Sequence, residues 1–181
     1  AVVRLFVPLL GGGSDALHAV ANKWAGGYVL SDTNGELINA YLTLRQDPDR
    51  LIDALKVYAG QSTGEDPTKY LTRSDPSVMY YASRAALVCD MTTVERAARF
   101  LFLINTCFNG IWRENKDGQM NTPWGKRLFR LTPDYEAQMR RVATLLNAVP
   151  DSGHRVHIAH ADFVDIIQWA KSGDVIYCDP P

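Results

Sequence analysis

The chain has 181 residues, of which 46% are hydrophobic, and a formal net charge of −1. This length and composition suit a soluble globular protein with one sizeable core, or with a core and a subdomain. The near-neutral charge argues against a protein that coats DNA non-specifically, and no apolar run approaches the length of a membrane-spanning helix. Three widely spaced cysteines, Cys89, Cys107 and Cys178, are expected to be reduced and mostly buried, as in a cytoplasmic protein.

The first elements in chain order are a strand, a glycine turn, a helix and a second strand. The apolar run 4–10 leads into Gly11-Gly12-Gly13, and the second strand, 27–31, ends at Asp32. Glycines let a ligand approach the backbone, and the N-terminus of the helix offers free N–H groups. An acid about twenty residues after such a turn is placed to bind ribose hydroxyls. The pair predicts a nucleoside-binding site, although the glycines do not form the GxGxxG dinucleotide fingerprint.

Residues from about 46 to 135 change character and predict a helical insertion in an α/β sheet. Helices are expected at 36–44, 47–59, 68–89 and 92–106, the last capped by Thr92 or Thr93 ahead of Glu95. Five apolar residues are expected to pack these helices together: Leu87, Phe100, Leu101, Leu103 and Ile104.

A polar hairpin is predicted next, with its turn at Asn115-Lys116-Asp117-Gly118. Between Phe108 and Arg130 the basic residues outnumber the acidic ones, with Arg113, Lys116, Lys126, Arg127 and Arg130 against Glu114 and Asp117. This local excess of positive charge, with aromatic residues between, fits contact with nucleic acid. A solvated charged hairpin is the alternative.

The last part of the chain returns to the α/β pattern. A helix at 133–149, capped by Thr132, precedes strands at 155–161 and 174–178, and the second strand runs into Asp179-Pro180-Pro181. Two prolines prevent the backbone from continuing as an inner strand or turning directly into a helix. The Asp179 carboxylate and nearby carbonyls would then lie where ligands bind in open α/β sheets, ready to accept hydrogen bonds from an exocyclic amine. Taken alone, the tripeptide also fits a plain strand-ending turn.

Five segments, in this order, resemble those of the Dam-type DNA adenine-N6 methyltransferases: LLGGGS, SDTNGELINAY, FNGIWRENKDGQMNTPWGKR, ADF and IYCDPP. The likeness covers essentially the whole chain, and the FNG-to-PWG segment is its most specific part. Five positions depart from the family pattern, namely Val7, Leu9, Phe108, Trp124 and Ala161. The family's amino-terminal KWAGGK-like motif and everything after DPP are missing, so the chain is expected to be the interior of a larger enzyme.

This resemblance implies a Rossmann-like α/β methyltransferase sheet, formed by residues 1–45 and 136–181. It implies an inserted helical target-recognition domain, residues 46–135, that carries the β-hairpin. The implied reaction transfers a methyl group from S-adenosyl-L-methionine to a flipped adenine in a short palindromic site of double-stranded DNA, such as GATC. S-adenosyl-L-homocysteine is the product. No metal is implied, and the expected protein is a monomer in the cytoplasm of a bacterium or of a phage's host, of the kind found in restriction-modification systems.

The resemblance also assigns roles to particular positions. The residues implied in catalysis are Asp179, Pro180 and Pro181. The residues implied in binding the methyl donor are Leu10, Gly11, Gly13, Asp32, Asp162, Phe163 and Asp179. The residues implied in contacts to bases or phosphates are Arg84, Phe108, Asn109, Ile111, Arg113, Asn115, Asn121, Pro123, Lys126 and Arg127. The two hairpin tryptophans, Trp112 and Trp124, are alternatively staples between hairpin and helices.

Other classes explain parts of the sequence. A Rossmann-type oxidoreductase would account for the glycine turn and Asp32 but for neither the hairpin nor DPP. A non-catalytic DNA-binding fragment of the same family would account for the hairpin. His154, His157 and His160 suggest a metal site at first, but the last two fall on opposite faces of a predicted strand, so none is expected.

Overall fold

The computed structural model describes residues 2–60, 75–148 and 155–180. The chain divides into two compact units, the first made of Ala1–Pro48 and Ala137–Pro181 and the second of Asp49–Glu136. Within the described ranges there are four strands: β1 (Val2–Val7), β2 (Ala25–Asp32), β3 (Val156–His160) and β4 (Val175–Ile176). The same ranges contain α1 (Ser14–Ala21), α2 (Gly35–Gln46), α3 (Pro48–Tyr58), α4 (Pro76–Ala85), α5 (Thr93–Thr106), α6 (Pro133–Leu146) and α7 (Phe163–Ile167).

The first unit is built on a four-stranded sheet with the order β3-β2-β1-β4 and parallel pairing throughout. From β1 to β3, each strand is added on the same side of the preceding strand. The chain then crosses back, and β4 pairs with the other side of β1. The order therefore reverses between β1 and β4, which makes this pair the topological switch point of the sheet. The parallel sheet confirms the Rossmann-like α/β class.

Both faces of the sheet are covered, as the continuous apolar runs of β1 and β2 require. Because side chains alternate along a strand, Val7 and Leu30 pack with α1 residues such as Ala16 on one face. Phe6 and Val29 pack with Ile166 of α7 on the other face. The glycine turn and Asp32 thus extend from strands that are anchored on both sides.

The second unit packs around a separate core. Tyr80 of α4 and Phe102 and Leu103 of α5 are buried together with Cys107 and Met120. Partly buried Trp112 and Trp124 pack against this cluster, in agreement with the staple interpretation. The predicted N-cap of α5 is confirmed as a full capping box, in which Thr92 and Glu95 bond each other's backbone N–H groups.

The hairpin of the second unit is held by isolated bridges. Cys107 pairs with Trp124 and Glu114 with Met120, both antiparallel. The Asn115 side chain closes the predicted turn by accepting hydrogen bonds from the N–H groups of Asp117 (3.0 Å) and Gln119 (2.9 Å). The side chains of this segment are consequently carried by a bridged turn and not by a long regular ladder.

Several predicted boundaries were wrong. Helix α4 ends at Ala85, because the buried Arg99 donates to the carbonyls of Ser83 (2.6 Å) and Arg84 (3.0 Å) and so terminates the helix; Val88–Asp90 form a separate 3₁₀ segment. Leu87 is accordingly 62% exposed and does not belong to the core. The predicted helical residues 68–74 and Val149 lie outside the described residues.

The cysteine prediction was only partly right, since Cys107 is buried while Cys89 and Cys178 are exposed. The last strand is shorter than predicted, with ladder pairing limited to Val175 and Ile176. Helix α7 was not predicted and begins at Phe163, the last residue of the ADF segment, where the Asp162 side chain caps it by accepting from the N–H of Val164.

Candidate functional site

The carboxyl ends of the four strands meet at one edge of the sheet. The glycine turn follows β1, Asp32 ends β2, Asp162 follows β3 and Asp179 follows β4. Two of these segments, the glycine turn and the Asp179-Pro180 tip, flank the switch point between β1 and β4. Because ligands of open α/β sheets bind in the crevice at such a point, this edge is the candidate functional site of the first unit.

The glycine turn is fixed by backbone hydrogen bonds at its base. The Leu10 N–H donates to the Ser31 carbonyl and the Gly13 N–H to the Leu10 carbonyl, both at 2.9 Å. Gly11 and Gly13 have positive φ angles of 50° and 68°, which favour glycine. A side chain added at Gly11 or Gly12 would meet no atom within 4 Å. The outer surface of the turn is therefore open to a ligand.

Asp32 connects the end of β2 to this turn. One carboxylate oxygen accepts the Gly11 N–H at 3.0 Å, and the other accepts the Asn34 N–H at 2.9 Å. Asn34 in turn caps α2 by accepting from the N–H groups of Glu36 and Leu37. Each Asp32 oxygen still has a free lone pair, so the carboxylate can accept two further hydrogen bonds from a ligand.

Tyr41 of α2 lies beneath the glycine turn and was not predicted as a site residue. Its hydroxyl is 3.5 Å from the Gly11 carbonyl, and it occupies the space that a β-carbon at Gly13 would need. Burial, together with the nearby Asp32 charge, raises the pKa of Tyr41 to about 12. The signal in the sequence was the tyrosine that ends SDTNGELINAY, two turns along the helix from its cap, but only the fold places it next to Gly13.

The end of β3 is joined to the Asp32 loop. The Ala161 N–H donates to the Asp32 carbonyl at 3.1 Å. His160, which pairs in register with Asp32, places Nε2 2.9 Å from the Thr33 carbonyl, to which it donates. Its ring also lies against Gly35. His160 is thus a second residue that the sequence analysis did not connect with the site.

Asp162 and Phe163 follow at this same edge. The Asp162 carboxylate is engaged as the cap of α7, with the Val164 N–H at 2.9 Å. The Phe163 ring is 43% exposed, so it does not belong to the core.

The Asp179-Pro180 tip is exposed at the end of β4. The Tyr177 hydroxyl lies 3.4 Å from a carboxylate oxygen of Asp15, in the first turn of α1. The negative charges of Asp15 and then Asp179 raise the pKa of Tyr177. Tyr177 thereby links β4 to the helix that follows the glycine turn. Pro181, the third predicted catalytic residue, lies outside the described residues.

The second unit presents the other predicted site residues around the hairpin. Phe108 and Ile111 are 54% and 53% exposed, and the remaining exposed members of the predicted set are Asn109, Arg113, Pro123, Lys126 and Arg127. Arg113 is braced, because its Nε donates to the Asn121 side-chain oxygen at 2.9 Å. The five basic residues between Phe108 and Arg130 are all exposed.

Besides Arg113, three of the predicted DNA-contacting residues have internal partners in this unit. Arg84 is half-buried and donates from Nη1 to the carbonyls of Thr122 (3.0 Å) and Asn121 (3.3 Å), while its guanidinium packs over the Tyr81 ring. Asn115 forms the turn, and Asn121 braces Arg113. A guanidinium has five N–H donors, so Arg84 retains donors for another acceptor.

Two general features complete the description of these sites. Among the residues that the structure describes, no three histidine, cysteine, aspartate or glutamate side chains are grouped so that they could hold a metal ion. Over the same ranges, none of the helices has the length and apolarity needed to cross a membrane.

Comparison with known proteins identifies the family. Residues 3–181 match the model of the family described as D12 class N6 adenine-specific DNA methyltransferase. The chain is 30% identical to the type II methyltransferase M1.LlaDCHI of Lactococcus lactis subsp. cremoris, over 98% of this chain and 56% of that protein. It is 30% identical to the DNA adenine methylase of Serratia marcescens, over 98% of this chain and 57% of that protein.

A third relative is the DNA N-6-adenine-methyltransferase of Escherichia phage P1, which is 33% identical over 98% of this chain and 20% of its own length. The chain thus spans little more than half the length of the first two relatives, and less of the third. Since the family match extends over nearly every residue, this chain belongs to the D12 class of N6 adenine-specific DNA methyltransferases.

Proposed function

We propose that the protein is a Dam-type, site-specific enzyme that methylates N6 of adenine in a short palindromic DNA site such as GATC, with S-adenosyl-L-methionine as donor. The observation that carries this proposal is the adjacency of β1 and β4. A glycine turn follows one strand and Asp179-Pro180 follows the other, at the same edge and on either side of the switch point. A donor-binding segment and an amine-binding segment would thus share one crevice.

The residues present fit the donor. The open surface over Gly11 and Gly12 leaves room for a ligand against the backbone, and the free lone pairs of Asp32 suit the two hydroxyls of a ribose. Leu10 and Gly13 hold the turn in place, while Asp162, the exposed Phe163 and Asp179 lie at the same edge. When bound, the donor would supply an electrophilic methyl group on a sulfonium.

Asp179 and Pro180 are proposed to hold the amine that receives the methyl group. The Asp179 carboxylate and the Pro180 carbonyl are hydrogen-bond acceptors. Two such acceptors orient an exocyclic amine because each accepts a hydrogen bond from one of its two N–H groups. Such positioning, together with stabilisation of the positive charge that develops on nitrogen, is a recognised source of rate enhancement. Pro181 is proposed to belong to the same catalytic sequence motif.

The second unit is proposed to be the target-recognition domain. An adenine must leave the duplex before its N6 amine can be reached, at a cost of a few kcal/mol. Phe108 and Asn109 are proposed to stand beside the extruded base and its partner, and Ile111, Arg113 and Pro123 to contact later bases. Arg84, Asn115, Asn121, Lys126 and Arg127 are proposed phosphate contacts. The exposure of Phe108, Asn109, Ile111, Arg113, Pro123, Lys126 and Arg127 supports their assignments, as does the excess of positive charge in the hairpin.

The proposed setting follows from the relatives, which are bacterial, archaeal and phage proteins. We propose a monomer that acts on double-stranded DNA in the cytoplasm of such a host.

The test is a methyl-transfer assay with the complete gene product, tritiated donor and duplexes that differ from a GATC duplex by one base pair. We expect transfer to the adenine of the GATC duplex and at least about a fivefold lower rate for each substituted duplex, since a lost base contact costs about 1–3 kcal/mol. Equal transfer to all duplexes would contradict site specificity. Tight duplex binding without any transfer would instead indicate a non-catalytic DNA-binding protein.

A further inference from the structure

The turn that carries Phe108 has an unusual backbone. Asn109 has φ 55° and ψ 13°, and the next residue, Gly110, has φ 67°. Two successive residues in the left-handed region change the direction of the backbone sharply. Glycine, and to a lesser extent asparagine, adopts this region at little cost. The turn follows the buried end of α5 and leaves the Phe108 ring 54% exposed. The exposed Phe108 ring therefore lies directly before a sharp change in the direction of the backbone.

A second segment, Pro123-Trp124-Gly125, clamps this turn from the side. The Phe108 N–H donates to the Pro123 carbonyl at 2.9 Å, and the Gly125 N–H donates to the Thr106 carbonyl at 2.8 Å. These bonds flank the bridge between Cys107 and Trp124. The backbone on both sides of Cys107 is thus tied to the clamp, immediately before the left-handed pair.

Gly125 is required for this approach. A β-carbon there would lie 2.5 Å from the carbonyl oxygen of Cys107 and 3.0 Å from that of Thr106, so any side chain would push the two segments apart. Gly125 does not have a positive φ, which means that close approach alone selects glycine. By contrast, Gly118 has φ 74° but a β-carbon there would meet nothing within 4 Å.

We propose that Gly125 and the left-handed pair Asn109-Gly110 are positioning residues, which together hold the Phe108 ring in one orientation for contact with a DNA duplex. Asn109 acts in this role through its backbone conformation. The contact between Phe108 and DNA rests on the proposed function and is the functional half of the proposal. The fixed orientation of the ring in the free protein is its conformational half. Preorganising an aromatic contact in this way reduces the ordering cost of binding.

Four variants of the complete gene product test the proposal: Asn109→Ala, Asn109→Gly, Gly125→Ala and the control Gly118→Ala. In the free protein, 4-fluorophenylalanine incorporated at position 108 reports the environment of the ring by fluorine NMR. We expect the resonance to shift or broaden in Asn109→Ala and Gly125→Ala, and to stay unchanged in Asn109→Gly and Gly118→Ala. This measurement does not depend on methyl transfer.

In steady-state assays with a cognate duplex, we expect kcat/KM to fall about tenfold in Asn109→Ala, since alanine is strained in the left-handed region, and by at least as much in Gly125→Ala. Gly118→Ala, whose added β-carbon meets no neighbour, should stay within about twofold of the unchanged protein, and donor affinity should be the same in all four variants. An Asn109→Gly resonance displaced as far as that of Asn109→Ala would overturn the backbone role, and a fully active Gly125→Ala protein would overturn the clamp. Absence of transfer by the unchanged protein would contradict the proposed function and leave the fluorine result to decide the conformational half.

Discussion

Tyr177 donates its backbone N–H to the Phe6 carbonyl across 2.8 Å, which continues the pairing of β4 with β1 beyond the last ladder residue. Since the strands are parallel, the segments that follow β1 and β4 leave the sheet in the same direction. The first leads to Gly11 and the second to Asp179. The hydrogen bond from the Tyr177 hydroxyl to Asp15 adds a side-chain link between the two segments. The proposed donor site and the proposed amine site thus depend on one strand pair.

Replacing Asp32 by asparagine should weaken both the fold and donor binding. The carboxylate accepts the N–H groups of Gly11 and Asn34, whereas an amide would turn its NH₂ group toward one of them. We expect the free energy of unfolding to fall by about 1–3 kcal/mol and donor affinity by at least about tenfold. Urea denaturation and equilibrium dialysis with labelled donor measure the two effects.

The matched control for that variant is Asp75→Asn. Asp75 also accepts a backbone N–H, from Ser77 at 2.8 Å, but it does so as the N-cap of α4 in the second unit. Asparagine caps helices as well as aspartate does, so stability and donor affinity should both be retained. Unchanged donor affinity in Asp32→Asn would show that Asp32 does not bind the donor.

Gly13 and Tyr41 should be energetically coupled. Alanine at Gly13 must adopt a positive φ and also displace the Tyr41 hydroxyl, so Gly13→Ala should lower the free energy of unfolding by about 1–3 kcal/mol. Removing the hydroxyl in the Gly13→Ala/Tyr41→Phe double variant should recover at least about 0.5 kcal/mol beyond additivity. Gly12→Ala, which meets no neighbour, serves as the control, and strict additivity in the cycle would show that the two residues do not press on each other.

Alkaline pH should destabilise the protein through buried tyrosines. Tyr80 is fully buried and donates to the Thr122 carbonyl at 2.9 Å, and burial raises its pKa to about 12. Because the folded-state pKa exceeds the unfolded value, the stabilisation is complete below about pH 10 and is lost as the pH rises through about 12, with a slope of up to about 1.4 kcal/mol per pH unit. Tyr41, whose pKa is also raised to about 12, adds to this slope.

Urea denaturation across this pH range, with Tyr80→Phe as the comparison, measures the effect. The variant should be less stable at neutral pH by about 1 kcal/mol, because it loses one hydrogen bond. Its stability should then decline less steeply with pH. Parallel pH profiles for the two proteins would contradict a role for the Tyr80 hydroxyl.

Two arginines of the hairpin should behave differently in DNA-binding assays. Arg127→Gln should weaken binding to all duplexes alike and reduce the slope of log K against log salt by about 0.9, as expected for a lost phosphate contact. Arg113→Gln should instead relax discrimination at one base pair by about 1–3 kcal/mol. Asn121→Ala, which removes the brace on Arg113 Nε, should produce a weaker form of the Arg113 effect. If both arginine variants alter only the salt slope, Arg113 does not read a base.

The parts of the fold that the sequence predicted well are those specified by neighbouring residues. The glycine turn, the strand ending at Asp32 and the capping box of α5 each follow from local backbone preferences and local hydrogen bonds. The turn at Asn115–Gly118 is likewise closed by the side chain of Asn115 itself. Such features need no information about the rest of the molecule.

The features that the sequence did not predict arise from contacts between distant segments. Helix α4 ends at Ala85 because Arg99, on another helix, donates hydrogen bonds to carbonyls in its last turn. Tyr41 and His160 join the site only because α2 packs under the glycine turn and β3 pairs in register with β2. The apolar sequence 175–177 is typical of a buried strand. The exposed fractions of Val175, Ile176 and Tyr177 are nevertheless 43%, 38% and 42%.

The most direct measurement is single-turnover methyl transfer by Asp179→Ala in the complete gene product, with duplex affinity measured in parallel. Asp165→Ala, which removes an exposed carboxylate of α7, is the control. We expect Asp179→Ala to lose at least about a hundredfold in transfer rate, on the scale seen when a transition-state hydrogen-bonding group is removed, and to bind the cognate duplex as before. Transfer at the unchanged rate would contradict the assignment of the β4 tip as the site where the amine is held.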